Sequence, residues 1–186
     1  MKTNELAAKA AGEILETVEK IKEDEIMALQ KKILEAKKIY VAGAGRSLLV
    51  MRCLAMRLMH LGFESYVVGD TTTPAFEKGD LLIVGSGSGE TGGLVLTVRK
   101  AKELGGIVCV LTIKRESTLG RLADLTLEIP AYTAKVKYED MKKAVLPSGS
   151  LFEESMLVLA DTMVIPLAQK KGIPLDGEFL RHANLE

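Results

Sequence analysis

From Thr3 to about Ile21 the apolar residues Leu6, Ala10, Ile14, Leu15, Val18 and Ile21 recur at helical spacing. Asp24 can cap a second run through Ile26, Leu29, Ile33 and Leu34, so residues 1–36 are expected to hold two N-terminal helices. The period then changes. Short runs rich in β-branched residues at 39–42, 65–68, 81–84, 107–112 and 125–129 alternate with helical stretches at 48–60, 91–104 and 117–123. Strands that alternate with helices argue for a parallel sheet covered on both faces. The prediction is an α/β fold, a three-layer αβα sandwich around a five-stranded parallel sheet of flavodoxin-like or Rossmann-like type.

Between 130 and 148 the pattern fails, and Lys135, Lys137, Glu139, Asp140, Lys142 and Lys143 make a polar, loop-like segment. A long helix follows from about Ser150 to Lys170, where Pro166 invites a bend because it lacks an N–H and its ring crowds the preceding turn. Residues 150–186 read as C-terminal helices, and 1–186 as a single domain without repeat or linker.

Composition narrows the function. With 186 residues, 47% of them hydrophobic, the chain can bury a core without a metal or disulfide staple. Cys53 and Cys109 lie inside apolar runs and read as small hydrophobes of a reduced, cytoplasmic protein. Lys and Arg number 25 and Asp and Glu 25, with no basic cluster, which removes the electrostatic footprint of a nucleic-acid binder. No signal-like h-region opens the chain and no apolar stretch approaches 18 residues, so neither export nor a membrane partner is expected.

In an open parallel sheet, ligands bind beyond the carboxyl ends of the strands. Two glycine-rich loops fall there: Gly43-Ala44-Gly45-Arg46-Ser47 after the first strand and Gly85-Ser86-Gly87-Ser88-Gly89-Glu90-Thr91-Gly92-Gly93 after the third. Glycines let backbone N–H groups converge on an anion, a following helix N-terminus favours negative charge, and Ser86, Ser88 and Thr91 add hydroxyl donors. A terminal phosphate fits such a loop better than an ordinary turn explains it. Glu90 would repel that phosphate, so it is expected to turn back onto the first turn of its own helix. Gly43-x-Gly45 with Asp70 imitates a dinucleotide fingerprint, but Leu48 stands where a third small residue is needed, and no Walker sequence follows either loop.

The two histidines are ambiguous. His60 closes a helix beside Gly62 and reads as a dipole partner or core edge, while His182 lies within the last five residues. No His, Cys, Asp and Glu set has metal-ligand spacing. Glu153 and Glu154 open the last long helix; dipole complementation explains them, yet Leu151 and Phe152 beside Glu153 would desolvate a carboxylate toward general-base use. Glu154 should point elsewhere, about 100° around the helix.

The blocks Gly43 to Ser47, Ala55 to Phe63, Gly85 to Thr91, Pro147 to Glu153 and Arg181 to Glu186 resemble the 6-phospho-3-hexuloisomerases of the sugar isomerase (SIS) domain family, over nearly the whole chain. The resemblance implies an isomerase that interconverts D-arabino-hex-3-ulose 6-phosphate and fructose 6-phosphate without a cofactor. It implies a homotetramer with sites at subunit interfaces, coupled to hexulose-phosphate synthase in formaldehyde fixation or pentose supply. By similarity Ser47, Ser86, Ser88 and Thr91 bind the phosphate, Gly45, Arg46, Gly87 and Gly89 supply backbone or sugar contacts, and Glu153 is the base. His182 falls in a tail suited to reaching a neighbouring site. Leu48 and Gly92-Gly93 depart from the family's pattern, which commonly has Gly at the first position and Lys-Ser at the second. The competing class is a non-catalytic SIS phosphosugar sensor, which would need an output segment; another sugar-phosphate isomerase is the remaining alternative.

Overall fold

The computed structural model describes residues 2–133, 144–174, 182, 184 and 185. The polar residues Lys135, Lys137, Glu139, Asp140, Lys142 and Lys143, and Arg181, Ala183 and Glu186 of the terminal motif, lie outside the described residues. The elements run α1 (Thr3–Val18), α2 (Glu23–Glu35), β1 (Ile39–Gly43), α3 (Arg46–His60), β2 (Ser65–Val67), β3 (Leu81–Gly85), α4 (Gly92–Glu103), β4 (Ile107–Thr112), α5 (Thr118–Leu122), β5 (Leu125–Glu128) and α6 (Ser150–Lys170). All five strands pair in parallel in the order β2-β1-β3-β4-β5.

The three layers follow from strand alternation, because successive side chains leave opposite faces of a strand. Ile39, Val41, Leu81, Ile83, Cys109 and Leu111 pack with Met51, Leu54 and Leu58 of α3, Leu29 and Ile33 of α2, and the apolar residues of α6. The intervening Tyr40, Ala42, Leu82, Val84, Val108 and Val110 meet Leu94, Val98 and Ala101 of α4 and Leu119 of α5. Both faces are covered, as a buried parallel sheet requires. Cys109 is buried, and burial pushes its thiol up to about 12; Cys53 is only half-buried, and both are free thiols.

One local expectation is revised. Asp24 does not cap α2: Lys22 is the N-cap residue, and Asp24 sits in the first turn, its Oδ1 accepting from the Glu25 N–H. The helix begins earlier because Glu23, Asp24 and Glu25 all complement its N-terminal dipole. The last helix runs through Pro166 to Lys170, as its apolar pattern predicts; the ring costs one backbone bond, and burial of Met163, Val164, Leu167 and Ala168 on either side holds the helix together. The apolar stripe of α1 is only partly covered within one chain, with Ala10 buried and Leu6 and Leu15 exposed.

The order 2-1-3-4-5 has its switch point between β1 and β3, where one chain path leaves for α3 on one face and the other for α4 on the opposite face. Gly43 and Gly85, the last residues of β1 and β3, are register partners at that point.

Candidate active site

Here the two glycine-rich loops open a pocket of about 490 Å³, lined by Ala44 to Ser47, Gly85 to Ser88 and Thr91, and also by Thr133, Ser148 to Ser150, Phe152 and Glu153. The glycines make room for it. A Cβ on Gly43 would lie 2.8 Å from the backbone nitrogen of Leu48, so only glycine lets the first turn of α3 close on β1. A Cβ on Gly85 would meet Met51 at 2.9 Å and Met156 at 3.1 Å, which brings α3 and α6 over the same strand end.

The loop after β3 gathers mostly neutral donors, a chemistry suited to an anion. The Ser86 Oγ accepts from the Gly89 N–H at 3.2 Å and the Ser88 Oγ from the Glu90 N–H at 3.3 Å, so each hydroxyl proton can be donated to a ligand. Thr91 is the N-cap residue of α4, and the first N–H groups of that helix have no intrahelical partner and carry its positive dipole end. Gly87, Ser88 and Thr91 line the pocket as expected. Gly89, at φ +64, does not line it and instead shapes the loop: a Cβ there would strike the Ser117 Oγ at 2.0 Å.

Glu90 does not fold back on α4. Its carboxylate reaches the start of α5, accepting from the Thr118 N–H at 2.9 Å and the Thr118 hydroxyl at 2.6 Å, and these bonds hold its pKa below the usual carboxylate range. A helix N-terminus attracts the carboxylate, as anticipated, but the neighbouring helix offers two donors at once. The loop after β3 is thereby tied to α5, with the Leu119 N–H donating to the Gly89 carbonyl as well.

Across the pocket, α3 and α6 bring together residues more than a hundred positions apart. Arg46 donates from Nε to Glu153 Oε2 at 2.8 Å and from Nη2 to Glu154 Oε1 at 2.7 Å. Ser47, expected at the phosphate, turns its hydroxyl toward Glu153 Oε1 at 3.4 Å, because the first turn of α3 faces the first turn of α6. Glu153 is thus flanked by an arginine and a serine as well as by Phe152, and Glu154, though it does not line the pocket, is drawn to the same guanidinium. Gly45 is the N-cap residue of α3 at φ +58, a backbone that places Arg46 on the rim.

His182 is not in its own chain's pocket. Its ring stacks on His60, centroids 5.1 Å apart, at the far end of α3 from Arg46. A helix of that length spans roughly 20 Å. Burial first, and then His182 and Arg57, push the His60 imidazole below its ordinary pKa. Asp70 is engaged by Arg52 at 2.6 Å, which accounts for it without a nucleotide ribose.

Thr133, Ser148 and Ser150 line the pocket but were not among the candidates read from the sequence. Ser148 and Gly149 both take positive φ, and a Cβ on Gly149 would sit 2.9 Å from the Thr133 Oγ1. The succession Pro147-Ser148-Gly149-Ser150 was the available signal for a constrained turn.

Comparison with known proteins places the chain in a family. A family model described as SIS domain matches residues 32–151. The chain is 44% identical over 186 residues to a 3-hexulose-6-phosphate isomerase of Bacillus subtilis, covering 100% of both chains. It is 38% identical to one of Mycobacterium gastri, covering 99% of this chain and 91% of that one. A crystal structure from Methanococcus jannaschii, reported as inferring the same isomerase function, superposes with TM-score 0.82 at 35% identity, covering 98% and 99% of the two chains. No described helix is long and apolar enough to cross a membrane.

The depressed pKa of Glu90 links its cap to pH. Its stabilising contribution is fully present above the ordinary glutamate value, about 4.3, and is lost as pH falls through the lower folded value. Glu90→Gln keeps an acceptor but no titration. The stability gap between wild type and this variant, from denaturant melts at several pH values, should be constant from neutrality to about pH 5 and then narrow with further acid. A gap that widens in acid would contradict the assignment.

Proposed function

The chain belongs to the SIS-domain family, among its 3-hexulose-6-phosphate isomerases, and we propose how its residues carry out that isomerisation. It is an isomerase that interconverts D-arabino-hex-3-ulose 6-phosphate and fructose 6-phosphate. The observation that carries the mechanism is that one pocket is lined both by the hydroxyls and helix N-terminus of the loop after β3 and by the Glu153 carboxylate.

Ser86, Ser88, Thr91 and the first turn of α4 hold the phosphate, and the backbone around Gly87 lets it approach closely. Glu153 takes the proton from C2 of the 3-ulose. The electron pair of that C–H bond forms the C2=C3 bond of a cis-enediol, and O3 takes up a proton as its carbonyl opens. In the second half the O2 proton leaves as the C2 carbonyl forms, and Glu153 returns its proton to C3. Atoms and charge balance within one substrate. Ser47 orients the carboxylate, and Arg46 lies beside the developing oxyanion, where a fixed positive charge lowers the barrier.

The transfer between O2 and O3 is assigned to His182 of a neighbouring subunit. Support for a partner's histidine comes from the stack on His60, which keeps the chain's own His182 about a helix length from its own Glu153. The homotetramer inferred from the family is supported by the exposed Leu6 and Leu15 of α1. In the cytoplasm the enzyme would draw substrate from hexulose-phosphate synthase, in formaldehyde fixation or, run in reverse, in pentose supply.

Ribulose 5-phosphate and formaldehyde incubated with the synthase should give fructose 6-phosphate only when this protein is added. In that assay the double variant Ser86→Ala with Ser88→Ala should raise KM at least tenfold, since each lost donor to a charged group is worth about 1.5–3 kcal/mol. An unchanged KM would remove the cradle assignment. Glu153→Gln should lower kcat by about 10²–10⁴ with the fold intact, and should also stop exchange of the C2 proton with solvent; exchange at the wild-type rate would place the base elsewhere. Light scattering at micromolar concentration should give a mass near four times 20.1 kDa, and a monomer alone would defeat both the tetramer and the trans role of His182.

A further inference from the structure

The described residues that line the pocket include two charged side chains, Arg46 and Glu153, and they are paired with each other. A guanidinium and a carboxylate of this kind form their strongest contact as a parallel fork of two N–H···O bonds. Here the fork is split. Nε goes to Glu153 at 2.8 Å, while Nη2, the other arm on that edge, goes to Glu154 at 2.7 Å. Glu154 lies outside the pocket and is more exposed than Glu153, with 37% against 18% of the side chain accessible.

We propose that Glu154 is a positioning residue for the isomerase base: by taking one arm of Arg46 it prevents the arginine from closing a two-pronged pair on Glu153. The base then receives a single N–H from Arg46 and keeps Oε1 for the Ser47 hydroxyl. Arg46 stays on the rim beside the substrate oxygens instead of being spent on the base. This rests on the reading of Glu153 as the base.

Other charge about Glu153 does not account for the arrangement. Among the described residues, α3 contributes Arg46 and α6 contributes Glu154. The loop packed opposite contributes Glu90, which is turned onto Thr118, and otherwise hydroxyls. Two carboxylates on consecutive positions of one helix diverge by about 100°, so a single arginine is shared only if its side chain lies between them. The exposure of Arg46 makes each bond individually weak, and it is their division between two acceptors that sets the geometry.

The test is the pH dependence of kcat/KM for wild type, Glu154→Gln, Glu154→Asp and Glu153→Gln. The substrate phosphate titrates alike in all four, so differences belong to the enzyme. In Glu154→Gln the acid limb should move to lower pH by about half a pH unit or more, because the base loses an anionic neighbour and gains the second arm of Arg46. Its plateau kcat should fall about threefold or more, as a less basic carboxylate lifts the C2 proton more slowly. Glu154→Asp, which keeps the charge, should bring the limb back toward wild type. A limb that stays in place, whatever the plateau does, or that moves to higher pH, overturns the proposal. Should Glu153→Gln turn over normally, the base reading fails and takes this role with it; if Glu153→Gln is inactive while the Glu154→Gln limb is unmoved, the positioning role alone fails.

Discussion

The close approach at Gly85 sets the geometry of everything above it. At the end of β3 there is no room for a Cβ, because Met51 from α3 and Met156 from α6 occupy that space within 3.1 Å. Met51 stands five residues after Arg46 and Met156 three after Glu153, so the two helices start their first turns face to face over the same strand end. The Arg46–Glu153 pair is a consequence of that packing. A side chain added at Gly85 would first force the Met51 and Met156 side chains to shift.

The cradle depends on a second buttress, on the other face of the sheet. Gly89 lies against Ser117, Glu90 caps Thr118 and Leu119 donates to the Gly89 carbonyl, so α5, only five residues long, is the wall on which the phosphate loop rests. This is how an acidic residue is accommodated beside the proposed anion site. Its charge is directed at the positive end of a neighbouring helix, away from the pocket.

Local pattern exposed the sheet and its crossovers in the sequence, because strand alternation and helical period are properties of adjacent residues. The glycine-rich loops were legible for the same reason, and the switch point followed from the topology they imply. What could not be read were pairings across the chain. Arg46 meets Glu153 over a separation of 107 residues, and Glu90 finds Thr118 rather than its own helix, 28 positions on. Thr133 and Ser148 come from a segment with no period, where only a constrained turn hinted at a role. His182 gave no sign of stacking on His60, since ring contacts leave no spacing to detect.

The allocation of positive charge is the last step. The usual way to hold a phosphate is to place a lysine or arginine on it, but Gly92 and Gly93 stand at the first turn of α4, and a Cβ at either would meet nothing within 4 Å. On the proposed reading the anion is left to hydroxyls, backbone N–H groups and a helix dipole, which would bind it without a full charge. On that reading the arginine is not needed by the phosphate, and among the described lining residues it pairs instead with the Glu153 carboxylate. An arginine there works against the base if it is bound too tightly and contributes little to the transition state if it is released. Dividing its donors between Glu153 and an outer glutamate answers both demands with one side chain, and it does so on the rigid first turn of a helix fixed in place by Met156.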